Sequence, residues 1–239
     1  MKRGVLFCLV LMCCSMASVA KSRVYLLGDG SMAVAADSAI MGWGEALNEY
    51  LAQGVTLQNE AKEGMSLKIF LENGGEEKIS ELPAKSIVFL QFGGNDLIDT
   101  NLEQYSSLDL FVRHYNSLIK KAINEKLQVV LCTPLARPYY HEGRWIDRLG
   151  GYDDAVRRLA KLYHLPLLDL EEQTREWWMS MSDVEASIYY IDSVENEAFL
   201  LTEDGAKKVA EMAANMMRNQ KDSKIKKLIK KYSCYSQMR

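Results

Sequence analysis

Residues 23–33 read RVYLLGDGSMA, an apolar run that stops abruptly on glycine, aspartate and serine. Residues 86–96, SIVFLQFGGND, repeat the design, with Ile87-Val88-Phe89-Leu90 at the centre and Gly93-Gly94-Asn95-Asp96 at the end. Short apolar runs bounded by turn residues read as strands buried on both faces. Further runs of this kind lie at 55–58, 128–133 and 166–170. Between them helical patterns occupy 41–53, 65–72, 102–125, 151–163, 171–181 and 203–219. In the third of these, Leu108, Phe111, Tyr115, Leu118 and Ala122 recur on one face. Thr202 is placed to cap the last helix, with Glu203 and Asp204 favourable in its first turn. Alternating strands and helices specify an α/β fold, a parallel sheet covered by helices on both faces, in three α/β/α layers. In such sheets the site forms beyond the carboxyl ends of the strands.

Composition agrees with this reading. The chain has 239 residues, 48% hydrophobic and 26% charged, with net charge -3, which excludes collagenous, disordered and coiled-coil classes. Only four prolines and no linker-like stretch point to one domain, at 21–219. Residues 1–20 carry Lys2 and Arg3, an apolar run from Gly4 to Cys14, and Ser18-Val19-Ala20. That order is a signal peptide cleaved near Ala20, and it implies a secreted or periplasmic protein. Beyond the signal, Cys132 lies in a strand-like run and Cys234 in the tail, so no disulfide framework is expected. The three histidines sit in no metal-binding pattern, so no metal is expected.

Residues 218–239 hold eight of the 29 basic and one of the 32 acidic residues, giving the tail +7 and the rest -10. An acidic main domain does not suit nucleic acid. In the basic tail, 220–239, Ile225, Leu228, Ile229 and Tyr232 are spaced as one helical stripe. The stripe suits a helix packed on the domain, with membrane or acidic-glycan contact as the rival reading.

The strand ends carry the chemistry. Gly28-Asp29-Gly30-Ser31 follows the first run, Asn59 to Ser66 the second, Gly93 to Asp96 the third, and Thr133 to Pro138 the fourth. Gly28-x-Gly30-x-x-Ala33 matches a dinucleotide fingerprint, which also needs an acid about 20 residues on, at the end of the second strand. Glu45 and Glu49 fall in a helical pattern and Glu60 is too far along, so no nucleotide cofactor is expected.

Taken in order, these blocks resemble the SGNH (GDSL) hydrolase superfamily, most closely its rhamnogalacturonan acetylesterase-like branch. VYLLGDGSMA is similar to that family's strand followed by Gly-Asp-Ser-Thr-Met-Ala, and NEAKEGMS to the block supplying a glycine, here Gly64. QFGGND is similar to Gln-Phe-Gly-His-Asn-Asp, which supplies an asparagine, here Asn95, with Gly94 at the histidine. LCTPLARP, LGGYDDAVRRLA, LPLLDL and LLTEDGAKKVA follow in the family's order. The resemblance implies a flavodoxin-like five-stranded parallel sheet and a serine ester hydrolase without cofactor, acting on acetylated polysaccharide or oligosaccharide such as pectin. Such chemistry pairs a nucleophile and an adjacent base with preorganised donors for the oxyanion.

The chain departs from that pattern at the reacting groups. Gly30 occupies the serine position, and the nearest hydroxyl is one residue later, at Ser31. The closing Asp-x-x-His falls on Glu197 and Leu200, and a second register through Asp192 and Glu195 also supplies no imidazole. His114 and His164 read as structural, whereas His141 follows the fourth-strand loop and is the histidine placed to approach the site. Asp29, Gly94 and His141 are the candidate substrate-binding residues, with pinning of the first turn as the rival role of Asp29, and Tyr139, Tyr140 and Trp145 either stack on sugars or pack the loop. Two functions follow. One is an exported, catalytically impaired or inactive relative of carbohydrate O-acetylesterases that binds a glycan. The other is an active ester hydrolase that uses Ser31 with an unusual base.

Overall fold

The computed structural model describes residues 22–34, 39–193 and 198–231. The signal segment, Glu195, Glu197, Tyr232 and Cys234 lie outside the described residues. Four long strands, β1 (Ser22–Gly28), β2 (Val55–Asn59), β3 (Ile87–Gln91) and β4 (Gln128–Cys132), coincide with the apolar runs. Two hairpin strands follow, β5 (Tyr140–His141) and β6 (Arg144–Trp145), then the short β7 (Leu167–Leu168). A second hairpin joins β8 (Tyr190–Ser193) to β9 (Ala198–Leu201). The main sheet is parallel throughout, in the order β2-β1-β3-β4-β7, which is flavodoxin-like.

Side-chain alternation along the strands builds two cores. Val24 and Leu26 of β1, Ile87 and Phe89 of β3, and Val130 and Cys132 of β4 pack on one face of the sheet. Tyr25 and Leu27, Val88 and Leu90, and Val129 and Leu131 pack on the other. The first face is covered by α1 (Trp43–Ala46), by Leu170 at the start of α6 (Leu170–Met179), and by α8 (Glu203–Asn219) and α9 (Ser223–Lys227). The second carries α2 (Leu67–Glu72), α3 (Gly75–Glu81), α4 (Leu108–Asn124) and α5 (Tyr152–Tyr163). A short α7 (Asp183–Ala186) leads to the second hairpin.

The stripe read in 102–125 is realised in α4, where Phe111, Tyr115, Leu118 and Ala122 are buried. The helix begins later than expected because Ser107 caps it, its side chain accepting from the Leu110 N–H. Thr202 caps α8 as expected, accepting from Gly205 N at 3.2 Å. The helical stripe read in the basic segment packs on the domain. Ile225, Leu228 and Ile229 are buried in the first core, and Leu51 bridges to Ile229, so the domain continues into the basic segment.

Candidate active site

The register pairs Gly28 with Gln91, so the loops after β1 and β3 leave the sheet side by side. This is the switch point of the strand order, between β1 and β3, where a flavodoxin-like sheet opens a crevice. A cleft of about 450 Å³ lies there, lined by Asp29, Gly30, Ser31, Gly64, Gly94 and Asn95 among others. Leu200 also lines it, carried in by β9. The structure therefore gathers Asp29, Gly30, Ser31, Gly64, Gly94, Asn95 and Leu200 around one space.

Gly30 and Leu200 face each other. A Cβ built on Gly30 stands 3.3 Å from Leu200 Cδ2, 3.1 Å from Glu63 Cα and 3.5 Å from Glu63 Cβ. The two positions that the sequence pattern aligns with nucleophile and base are thus neighbours, occupied by a hydrogen and an alkyl chain.

Ser31 is differently engaged. Its hydroxyl donates to Asp29 Oδ1 at 2.7 Å and accepts from Gln91 Nε2 at 2.6 Å, while its N–H donates to the same Asp29 oxygen at 3.0 Å. Gln91 also donates to Asp29 Oδ1 at 3.3 Å, and its own oxygen accepts from Trp43 Nε1 at 2.8 Å. Asp29, Ser31 and Gln91 are all buried, so this is an internal network that pins the first turn. Burial pushes the Asp29 carboxyl upward, opposed by the Ser31 hydrogen bonds and the Arg137 charge.

The donors opposite are held from behind. Gly64 has φ +69°, in the left-handed region that glycine adopts without a Cβ penalty, and its carbonyl accepts from Gln104 Nε2 at 3.0 Å. Asn95 donates one amide hydrogen to the Met65 carbonyl at 3.2 Å, which fixes the side chain at the cleft wall. The fully buried Asp96 accepts from Leu67 N and Gly93 N, each at 3.0 Å, tying the β3 loop to the start of α2. Burial outweighs those donors and pushes the Asp96 carboxyl up to about 7.

His141 is not part of this assembly. It sits exposed in the β5–β6 hairpin opposite Arg144, outside the residues that line the cleft, because the hairpin carries it away from the strand ends. His114 lies in α4 and His164 at the C-cap of α5, also outside the lining. Of the rim aromatics, Tyr140 donates its hydroxyl to Trp178 O at 2.6 Å and Trp145 donates Nε1 to Arg137 O at 2.8 Å. Both pack in the aromatic cluster around Trp178, so the loop-packing reading describes them, while Tyr139 is exposed under Arg148.

Sequence reasoning passed over Arg137, Glu63, Asn101, Gln104 and Phe199, which also line the cleft. Arg137 donates Nη2 to Gly94 O at 2.6 Å, linking the β4 loop to the β3 loop. Its place in LCTPLARP, directly after a strand end, was the available signal. Among the described residues, no group of three or more His, Cys, Asp or Glu is placed to hold a metal ion.

The cleft, backed by Gly-Asp, Gly and Asn-Asp loops, thus sits where a flavodoxin-like sheet places its site. The GDSL-like lipase/acylhydrolase family model matches residues 26–193, and the chain belongs to that family. It is 27% identical over 208 residues to the rhamnogalacturonan acetylesterase RhgT of Bacillus subtilis, covering 80% of this chain and 88% of that protein. An acetylxylan esterase from Geobacillus stearothermophilus superposes with TM-score 0.62 at 15% identity, over 82% of this chain and 94% of that one. The Bacillus subtilis protein YxiM gives TM-score 0.70 at 22% identity, over 85% of this chain, which spans 58% of that longer protein. The structural likenesses establish the fold, and the chain is a relative of carbohydrate acetylesterases.

Proposed function

We propose that this chain is an exported member of the family that binds acetylated polysaccharide or oligosaccharide of the pectic type, with little or no triad hydrolysis. The observation that carries the proposal is the apposition of Gly30 and Leu200 across 3.3 Å from the Gly30 Cβ position. Where a hydroxyl and an imidazole have to meet, this chain has neither a nucleophile nor a proton acceptor. On this reading Ser31 is a structural residue of the first turn, its hydroxyl donating to Asp29 and accepting from Gln91. The donors remain. Gly64 N–H and the second Asn95 amide hydrogen are assigned to the ester carbonyl, while Leu200, Leu135 and Phe199 offer apolar contact to the acyl methyl. Arg137, Asn101 and Gln104 supply polar partners for sugar hydroxyls and carboxylates at the cleft wall.

An ester held without a base stays intact, so the expected behaviour is recognition of the acetylated glycan rather than its turnover. Calorimetric titration with acetylated and saponified pectic oligosaccharides tests this. Heat of binding that depends on the acetyl groups is the expected result. No heat with any acetylated pectic or hemicellulosic oligosaccharide overturns it.

A further inference from the structure

The end of the sheet opposite the cleft is strongly basic. Six lysines fall between Lys221 and Lys231, all exposed, because the apolar residues of the same segment point into the core. Hydrogen bonds place this segment at the amino ends of the strands. Ala52 N donates to Leu228 O at 2.7 Å just before β2, Gln128 Nε2 at the start of β4 donates to Asp222 at 2.7 Å, and Gln220 Nε2 donates to Leu167 O at the start of β7. Arg23, Lys85 and Lys126, also exposed, stand on the residues that enter β1, β3 and β4. The acids nearby are fewer and include Glu49, Glu81, Glu125, Glu172, Glu211 and Asp222. Glu125 is paired with Lys121, and Asp222 is occupied by Gln128 and Lys224 N. Nine of the 29 basic residues of a chain with net charge -3 thus stand at this pole.

We propose that this pole docks on an anionic phospholipid surface and holds the cleft facing away from it. Two features favour lipid over an acidic glycan. The cations are lysine point charges rather than a groove, and no exposed aromatic ring accompanies them among the described residues. The apolar stripe is used internally, so binding is peripheral and electrostatic, without insertion.

The proposal is independent of what the cleft binds. Its test is co-sedimentation of the chain from Ser22 onward, which contains the whole described fold, with vesicles of phosphatidylcholine alone or with 30% phosphatidylglycerol (about that share is ample for surface charge). Binding to the anionic vesicles alone, lost in about 1 M salt where the screening length falls to about 3 Å, is expected. Lys224→Glu/Lys226→Glu/Lys227→Glu should weaken it at least ~100-fold, each lysine near a lipid surface contributing about one kcal/mol. The triple variant should keep the wild-type melting temperature, since these side chains are exposed. Equal binding to neutral vesicles, binding to polygalacturonate without vesicle binding, or binding to neither overturns the proposal.

Discussion

Placing a hydroxyl and an imidazole at the two facing positions is the sharpest perturbation of the cleft. Gly30→Ser adds a Cβ whose nearest neighbours lie at 3.1, 3.3 and 3.5 Å, so Glu63 and Leu200 have to yield by only a few tenths of an ångström. Leu200→His in the same variant removes the Cδ2 contact and puts an imidazole where that methyl stood, beside the new hydroxyl. Leu200 is 7% exposed, so the loss of apolar burial costs about 2 kcal/mol and lowers the melting temperature by roughly 4–8 °C. Neither change alone supplies both a nucleophile and a base, so each single variant should stay at the wild-type rate. Together they supply a hydroxyl beside a base, and a positioned base contributes about 10²–10⁴-fold. That corresponds to roughly 3–5 kcal/mol of barrier. The assay is release of nitrophenol from a chromogenic acetate and of acetate from acetylated pectin, with circular dichroism to show that all three variants are folded. A folded double variant no faster than the singles refutes the assignment of Gly30 and Leu200 as the vacated positions.

The rest of the network makes further predictions. Ser31→Ala leaves buried Asp29 and Gln91 each short of a partner, so it should cost about 1–3 kcal/mol and lower the melting temperature without changing glycan affinity; an unchanged melting temperature contradicts the internal role of Ser31. Asn95→Ala removes a donor from the cleft wall and should weaken binding of an acetylated oligosaccharide about 5-fold by calorimetry, consistent with a hydrogen bond worth about 1 kcal/mol; unchanged affinity argues against a carbonyl contact there. Asp96 is raised from 3.8 to about 7, and Asp29 is raised as well. A group whose folded value is raised gives stability that is full below its unfolded value and is lost as pH climbs through the folded one. Urea midpoints should therefore fall between pH 5 and 8, with a smaller fall in Asp96→Asn; an identical fall in the variant removes Asp96 as the cause.

The strands and the main helices were legible because buried parallel strands leave unbroken apolar runs and α4 and α8 leave a stripe and a cap. β7 is only Leu167–Leu168, shorter than its run, since Asp169 already caps α6 by accepting from Glu172 N. The two hairpins were not legible, as β5 and β6 contribute two residues each and β8 and β9 four each. Yet β9 brings Phe199 and Leu200 to the cleft, so half of the decisive contact came from a strand that periodicity missed. Gly30, Gly64 and Asn95 were found because they directly follow strand ends. Gln91 was read as an ordinary strand residue, and only its contacts with Trp43, Asp29 and Ser31 reveal why Ser31 faces inward. His141 was misdirected by sequence proximity to Pro138, since a two-residue hairpin strand is enough to carry a side chain off the rim.

Under the proposed function, the wild-type cleft holds an acetyl ester without cleaving it. The direct measurement is acetate release from acetylated rhamnogalacturonan by the purified chain from residue 21 onward, at high protein concentration, against buffer and against Ser31→Ala. The same slow rate is expected in all three. Release hundreds of times faster than buffer that disappears in Ser31→Ala contradicts it and makes Ser31 the nucleophile.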